Sequence, residues 1–251
     1  ILVLGGELSP WRLQYYGVSC DNWVTVPKEG SFCDADVREG VPPDFPYHVF
    51  TIHSGGNHCC FHLFIVDKES PHHVLYEFDG GMSAPRFKDV DDDGQYEMVV
   101  RDYDSYTYAL YGPGFVPLPP DIIWHLTPFG LYVAPELMSK PMPSAATLAN
   151  YKKSINDESG GDDQLLYEVT LDLIYSGHEK AAWMFFDDAW PEFFKYWSRY
   201  DQWDSEEMEG FYKKQFRDEF VEDICNSLFA RSLSWAERNR FMGQTCSTTT
   251  N

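Results

Sequence analysis

Residues 89 to 97 read Asp-Val-Asp-Asp-Asp-Gly-Gln-Tyr-Glu, which sets Asp89, Asp91, Asp93 and Glu97 at positions 1, 3, 5 and 9 around Gly94 at position 6. Alternate residues of a tightly turned loop can aim their side chains at one centre, and a glycine permits the turn. Hard oxygen donors converging in this way suit a calcium ion, which takes six to eight oxygen ligands. The competing reading is an acidic hairpin turn, and Asp92 shows that acid is abundant locally.

Position 12 of an EF-hand carries a bidentate glutamate, whereas here it is Val100, inside the strand-like run Glu97-Met98-Val99-Val100. A calcium loop running straight into a strand resembles the Asp-x-Asp-x-Asp-Gly-x-x-Asp/Glu loops of FG-GAP and VCBS type repeats. That resemblance implies side-chain oxygens from Asp89, Asp91, Asp93 and Glu97 and the backbone carbonyl of Gln95 as ligands of Ca2+. A weaker echo, Asp34-Ala35-Asp36 ahead of Pro46-Tyr47-His48-Val49-Phe50, lacks the glycine spacing and is not assigned a metal. Two copies cannot close a propeller, which needs about four blades, so a compact sheet or sandwich with one propeller-like loop is expected.

The stretch Gly55-Gly56-Asn57-His58-Cys59-Cys60-Phe61-His62 is similar to a Gly-Gly-x-His-Cys-Cys string found, ahead of a strand and an Asp-rich loop, in a group of uncharacterised bacterial exported proteins. The resemblance spans most of residues 30 to 190 and implies a compartment without an activity. His53, His58, His62, Cys59 and Cys60 could also make a copper or zinc site. Successive strand residues face opposite ways, however, so adjacent cysteines serve one tetrahedral ion poorly, and disulfides are the expectation.

The elements that must carry these residues read as an α+β chain. Strand-like runs lie at Ile1 to Leu4, Trp23 to Val26, His48 to His53, Cys60 to Val66, His73 to Phe78, Glu97 to Arg101 and Tyr106 to Tyr111, which outlines a β-rich calcium-binding domain over residues 1–112. Half of the 16 prolines fall between Pro113 and Pro143, marking 113–143 as a connector in which Ile122 to His125 and Leu131 to Val133 add edge strands. Ser144 then caps the first helix of an α-helical domain, 144–251.

In that domain Leu165, Leu166, Val169, Leu173 and Ile174 form one helical stripe ended by Gly177, and a second helix through Phe186 and Trp190 is stopped by Pro191. The hairpin is similar to a single tetratricopeptide repeat, with Gly177, Ala182, Phe186 and Ala189 at that family's small and aromatic positions. Leu166 stands where the family has tryptophan. Asp204 with Glu207, then Ser234 with Glu237, read as capping boxes; Gly243 closes the last helix, and a loose polar tail follows except at Cys246.

The net charge of -21, shared as -12 over residues 1–150 and -9 over the rest, opposes binding to nucleic acid or anionic lipid. No apolar run approaches the roughly 20 residues of a membrane span. Six cysteines and a calcium loop both point to an extracellular or periplasmic site, and a chain beginning at Ile1 is consistent with a processed or truncated protein. Cys225 is expected to pair with Cys246; if the other four are oxidised among themselves, Cys59 and Cys60 reach Cys20 and Cys33.

Common enzymatic motifs are absent: no nucleophile elbow, phosphate loop, dinucleotide fingerprint or His-Glu-x-x-His helix is present. The expected role is therefore a calcium-binding exported subunit that binds or scaffolds protein partners in a larger assembly. The dense aromatics Trp183, Phe185, Phe186, Trp190, Phe193, Phe194, Tyr196 and Trp197 would supply its docking surface. The alternative is a secreted hydrolase or carbohydrate-binding enzyme, with Asp102 and Asp104 or Asp187 and Asp188 as acid pairs and Tyr103, Tyr106, Tyr108, Tyr111 and Trp124 stacking on sugar.

Overall fold

The computed structural model describes residues 6–7, 41–53, 61–69, 73–81, 83–103, 119–155, 164–198 and 206–246. The architecture is α+β, and it divides into two compact units: residues 1–101 with 122–134, and residues 102–121 with 135–251.

The first unit holds two four-stranded sheets. Strands β1 (Gly6–Glu7), β2 (Tyr47–His53), β3 (Phe61–Asp67) and β4 (His73–Gly81) lie in the order β1-β4-β3-β2 with antiparallel pairings. The second sheet is ordered β5-β6-β7-β8, from β5 (Arg86–Lys88), β6 (Glu97–Arg101), β7 (Asp121–Thr127) and β8 (Gly130–Val133). Burial explains their composition. In β3 the consecutive residues Leu63, Phe64, Ile65 and Val66 are all buried, so both faces of this inner strand are covered and no polar alternation survives. The two sheets meet where Phe78 packs edge-on against Trp124, and the Tyr76 hydroxyl donates to the Thr127 carbonyl. The segment expected to add edge strands gives one edge, β8, while β7 lies inside the sheet between β6 and β8.

The second unit is helical: α1 (Pro135–Met138), α2 (Ala145–Ile155), α3 (Leu165–Tyr175), α4 (Glu179–Ser198), α5 (Glu206–Asn226), α6 (Leu228–Ser232) and α7 (Trp235–Met242). Ser144 accepts the Thr147 amide at 3.1 Å, as its position before α2 predicts. Helix α3 is broader in its burial than one stripe, since Tyr167, Thr170, Leu171 and Tyr175 are buried beside the expected Leu166, Val169, Leu173 and Ile174. It is the central helix and packs against α2, α4 and α7. Gly177, at φ +85°, makes the turn into α4, with the amides of Gly177 and His178 returning to Ile174 and Leu173.

Pro191 does not stop α4, which continues through it to Ser198. A proline in a helix interior costs about 3 kcal/mol. Here it is exposed while Trp190 and Phe193 on either side are buried, and burying two aromatics outweighs that cost. Five of the eight aromatics expected to supply a docking face are internal: Trp183, Phe185, Phe186, Trp190 and Phe193 are buried within the unit's own core, ringed by Tyr167, Phe216 and Phe220. Phe194 is half-buried, and the side chains of Tyr196 and Trp197 lie outside the described residues.

The Ser234 capping box forms as expected, with Ser234 taking the Glu237 amide and Glu237 the Ser234 amide. The Asp204 box lies outside the described residues. The expected Cys225–Cys246 disulfide is present, closing 21 residues of sequence with Cα atoms 5.6 Å apart. At the start of the tail Thr245 and Cys246 are both buried, and residues 247–251 lie outside the described residues. Cys20, Cys33, Cys59 and Cys60, with their pairing and the His58 and Cys59 metal alternative, lie outside the described residues.

Candidate metal centre

The acidic loop joins β5 to β6 and carries the backbone that its sequence requires: Gly94 has φ +88° and Asp92 φ +60°. The left-handed region is open to glycine and tolerated by aspartate, so the turn falls where those residues stand. Asp89 braces it, with Oδ1 accepting the Asp93 amide at 3.0 Å and Oδ2 the Gly94 amide at 2.9 Å. Asp91 Oδ1 also receives the Asp93 amide, at 3.3 Å.

Three carboxylates converge. Oxygen atoms of Asp89, Asp91 and Glu97 all lie within 4.8 Å of one another. Two ligands on one calcium, each about 2.3 to 2.6 Å from it, stand at most about 4.6 to 5.2 Å apart, so the spacing fits one ion. Glu97 is the unusual member, being only 2% exposed at the start of β6. Its Oε2 accepts the Val90 amide at 2.9 Å, and its Oε1 faces His125 Nδ1 of β7 at 3.6 Å. Burying a carboxylate beside two others is costly without a cation, which this donor set would accept.

Asp93 stands apart from the other three. Its Oδ1 takes the Gln95 amide at 2.7 Å and its Oδ2 the Gln95 side-chain amide at 3.1 Å, so both oxygens serve the turn. The flanking Tyr96 hydroxyl donates to Asp44 at 2.5 Å, which raises the phenol pKa and ties the loop to the segment before β2. Sequence spacing missed His125, which β7 brings beside Glu97, and Asp44, which reaches the loop from the segment before β2.

Of the residues considered for hydrolysis, Asp102, Asp187, Asp188 and Trp124 make structural contacts. Asp102 is fully buried in the second unit, where it accepts the amides of Leu228 and Phe229 at 3.3 and 2.9 Å and the Tyr175 hydroxyl at 2.7 Å. With Ser227 Oγ taking the Ala230 amide, the first three N–H groups of α6 are satisfied. Asp187 pairs with Arg217 and Lys213, and Asp188 with Lys152. Trp124 is buried against Phe78 and offers no face to a sugar. Asp104, Tyr106, Tyr108 and Tyr111 lie outside the described residues.

One carboxyl titrates unusually. Burial, then the charges of Glu222 and Glu219, push Asp223 on α5 up to about 6. In the unfolded chain it releases its proton near the usual 4, so between about pH 4 and pH 6 the folded chain holds more protons and stability falls as pH rises. Asp223→Asn is therefore expected to raise the urea midpoint at pH 7 more than at pH 4.5, by less than the full shift implies because solvent screens the half-buried group.

No family model matches the chain, and no curated protein or solved structure matches it either. Among the described residues no helix is long and apolar enough to cross a membrane.

Proposed function

We propose that this chain is a calcium-binding exported protein whose β-rich unit is stabilised by one ion on the Asp89 to Glu97 loop, and that it serves a larger extracellular or periplasmic assembly as a binding or accessory subunit. The observation that carries the calcium reading is the convergence of Asp89, Asp91 and Glu97, with Glu97 buried. Asp93 and the Gln95 carbonyl complete the expected ligand set, Asp93 by exchanging its bonds to Gln95 for the ion.

The Cys225–Cys246 disulfide supports the compartment, since such bonds persist where calcium is also abundant enough to fill a modest site. The assembly role draws no support from Trp183, Phe185, Phe186, Trp190 and Phe193 of α4, which are internal. Partner surfaces are better sought at exposed Phe211 and Trp235, where serine substitutions would disrupt a complex without touching the core.

Thermal unfolding with and without a chelator tests the calcium reading. The wild-type chain is expected to melt several degrees lower without calcium, since a ligand at 100 times its Kd adds about 2.7 kcal/mol. Asp91→Ala should melt alike in both conditions. A chelator-insensitive wild-type chain would remove the proposal's basis.

A further inference from the structure

We infer that Glu179 is a positioning residue for the Cys225–Cys246 disulfide: it docks the C-terminal segment non-covalently and presents Cys246 to Cys225 before the bond forms. Glu179 opens α4 and is only 8% exposed, although carboxylates are rarely buried without partners. Among the described residues, its side-chain hydrogen-bond partners are on the tail. Oε1 accepts both the Thr245 amide and the Thr245 hydroxyl, and Oε2 accepts the Gln244 amide at 3.2 Å.

The Trp183 indole, one turn further along α4, donates to Thr245 Oγ1 at 2.8 Å, and the Cys246 amide returns to the Met242 carbonyl at 2.8 Å. The polar contacts just named fix Gln244, Thr245 and Cys246 itself, and none involves sulfur. The clamp can therefore form in the reduced chain.

Oxidation then needs a small-molecule disulfide such as oxidised glutathione. One cysteine thiolate attacks a sulfur of the oxidant and expels one glutathione thiolate. The second cysteine thiolate attacks the mixed disulfide and expels the other, so two electrons pass from the protein thiols to the oxidant. Docking raises the effective concentration of one thiol beside the other, and by linkage makes the bond correspondingly harder to reduce.

The test equilibrates the full chain in glutathione buffers and counts free thiols by alkylation. Replacing Glu179 by alanine is expected to shift the thiol–disulfide equilibrium roughly tenfold or more toward the reduced form, the size expected for lost charge-assisted hydrogen bonds. Thr245→Val should shift it less in the same direction. Hydrogen exchange supplies a second readout that does not depend on either variant folding: in Cys225→Ser the amides of Gln244 and Thr245 should stay protected. An unchanged equilibrium in a folded Glu179→Ala chain, or unprotected amides in Cys225→Ser, would overturn the inference.

Discussion

Replacing Asp102 by alanine is expected to lower the unfolding free energy of the helical unit by about 3 to 5 kcal/mol, since each buried donor that loses its acceptor costs about 1 to 3 kcal/mol. The Tyr175 hydroxyl and the amides of Leu228 and Phe229 would then be buried without the acceptor they now share. Asp102→Asn keeps one carbonyl oxygen and should lose less. Tyr175→Phe removes the hydroxyl's contacts with both Asp102 and Ser227 Oγ and should cost about 1 to 2 kcal/mol. Urea unfolding followed by far-ultraviolet circular dichroism reads all three; a destabilisation below about 1 kcal/mol for the alanine variant would mean that the carboxylate does not hold α6.

Removing the disulfide should come second in effect. Closing a loop of 21 residues restricts the unfolded chain by about 3 kcal/mol. A chain with both Cys225 and Cys246 changed to serine should unfold at correspondingly lower denaturant, with an unchanged circular dichroism spectrum in buffer. The clamp on Glu179 keeps the folded form of the tail in place, so the loss falls mainly on the unfolded state. An unchanged denaturant midpoint would show that the bond does not restrict the unfolded chain.

Local signals were readable wherever the structure they specify is itself local. Glu97 to Arg101 becomes β6 with the bounds its β-branched run suggests, and Ser234 with Glu237 makes a complete capping box because both partners lie within one turn. Gly177 and the acidic loop with Gly94 are legible for the same reason: a positive φ is specified by the residue that adopts it. Strand β5 is three residues long with two exposed, too short for periodicity to reveal.

Long-range polar pairing was not legible. Asp102 meets Phe229 across 127 positions and Glu179 meets Thr245 across 66, and nothing in either acid's neighbours marks it for burial. Asp102 therefore read as one of an acid pair with Asp104 that a hydrolase could use. The α4 aromatics misled for a related reason. Their number exceeds what one stripe needs, but α5 supplies Phe216 and Phe220 against a second side of α4, and a helix covered on two sides carries more apolar residues than a surface helix does.

Within the acidic loop, spacing alone gave Asp89, Asp91, Asp93 and Glu97 equal standing. The backbone turn separates them, because Asp93 is drawn to the Gln95 amides while Asp89, Asp91 and Glu97 face one point. Burial of Glu97 comes from its place in β6, next to Met98, Val99 and Val100. A sequence pattern holds the donors' types, whereas the sheet decides which of them is dry.

Calorimetric titration of the chelator-stripped chain with calcium reads the central claim most directly. One calcium per chain is expected on this loop, with magnesium bound far more weakly because it demands a near-ideal octahedron and gives up its waters reluctantly, whereas calcium accepts an irregular set of oxygens. Asp89→Asn and Asp91→Asn should each reduce the affinity at least tenfold, the chain remaining folded. Binding of no calcium by the folded wild-type chain, or equal binding by both variants, would contradict the account.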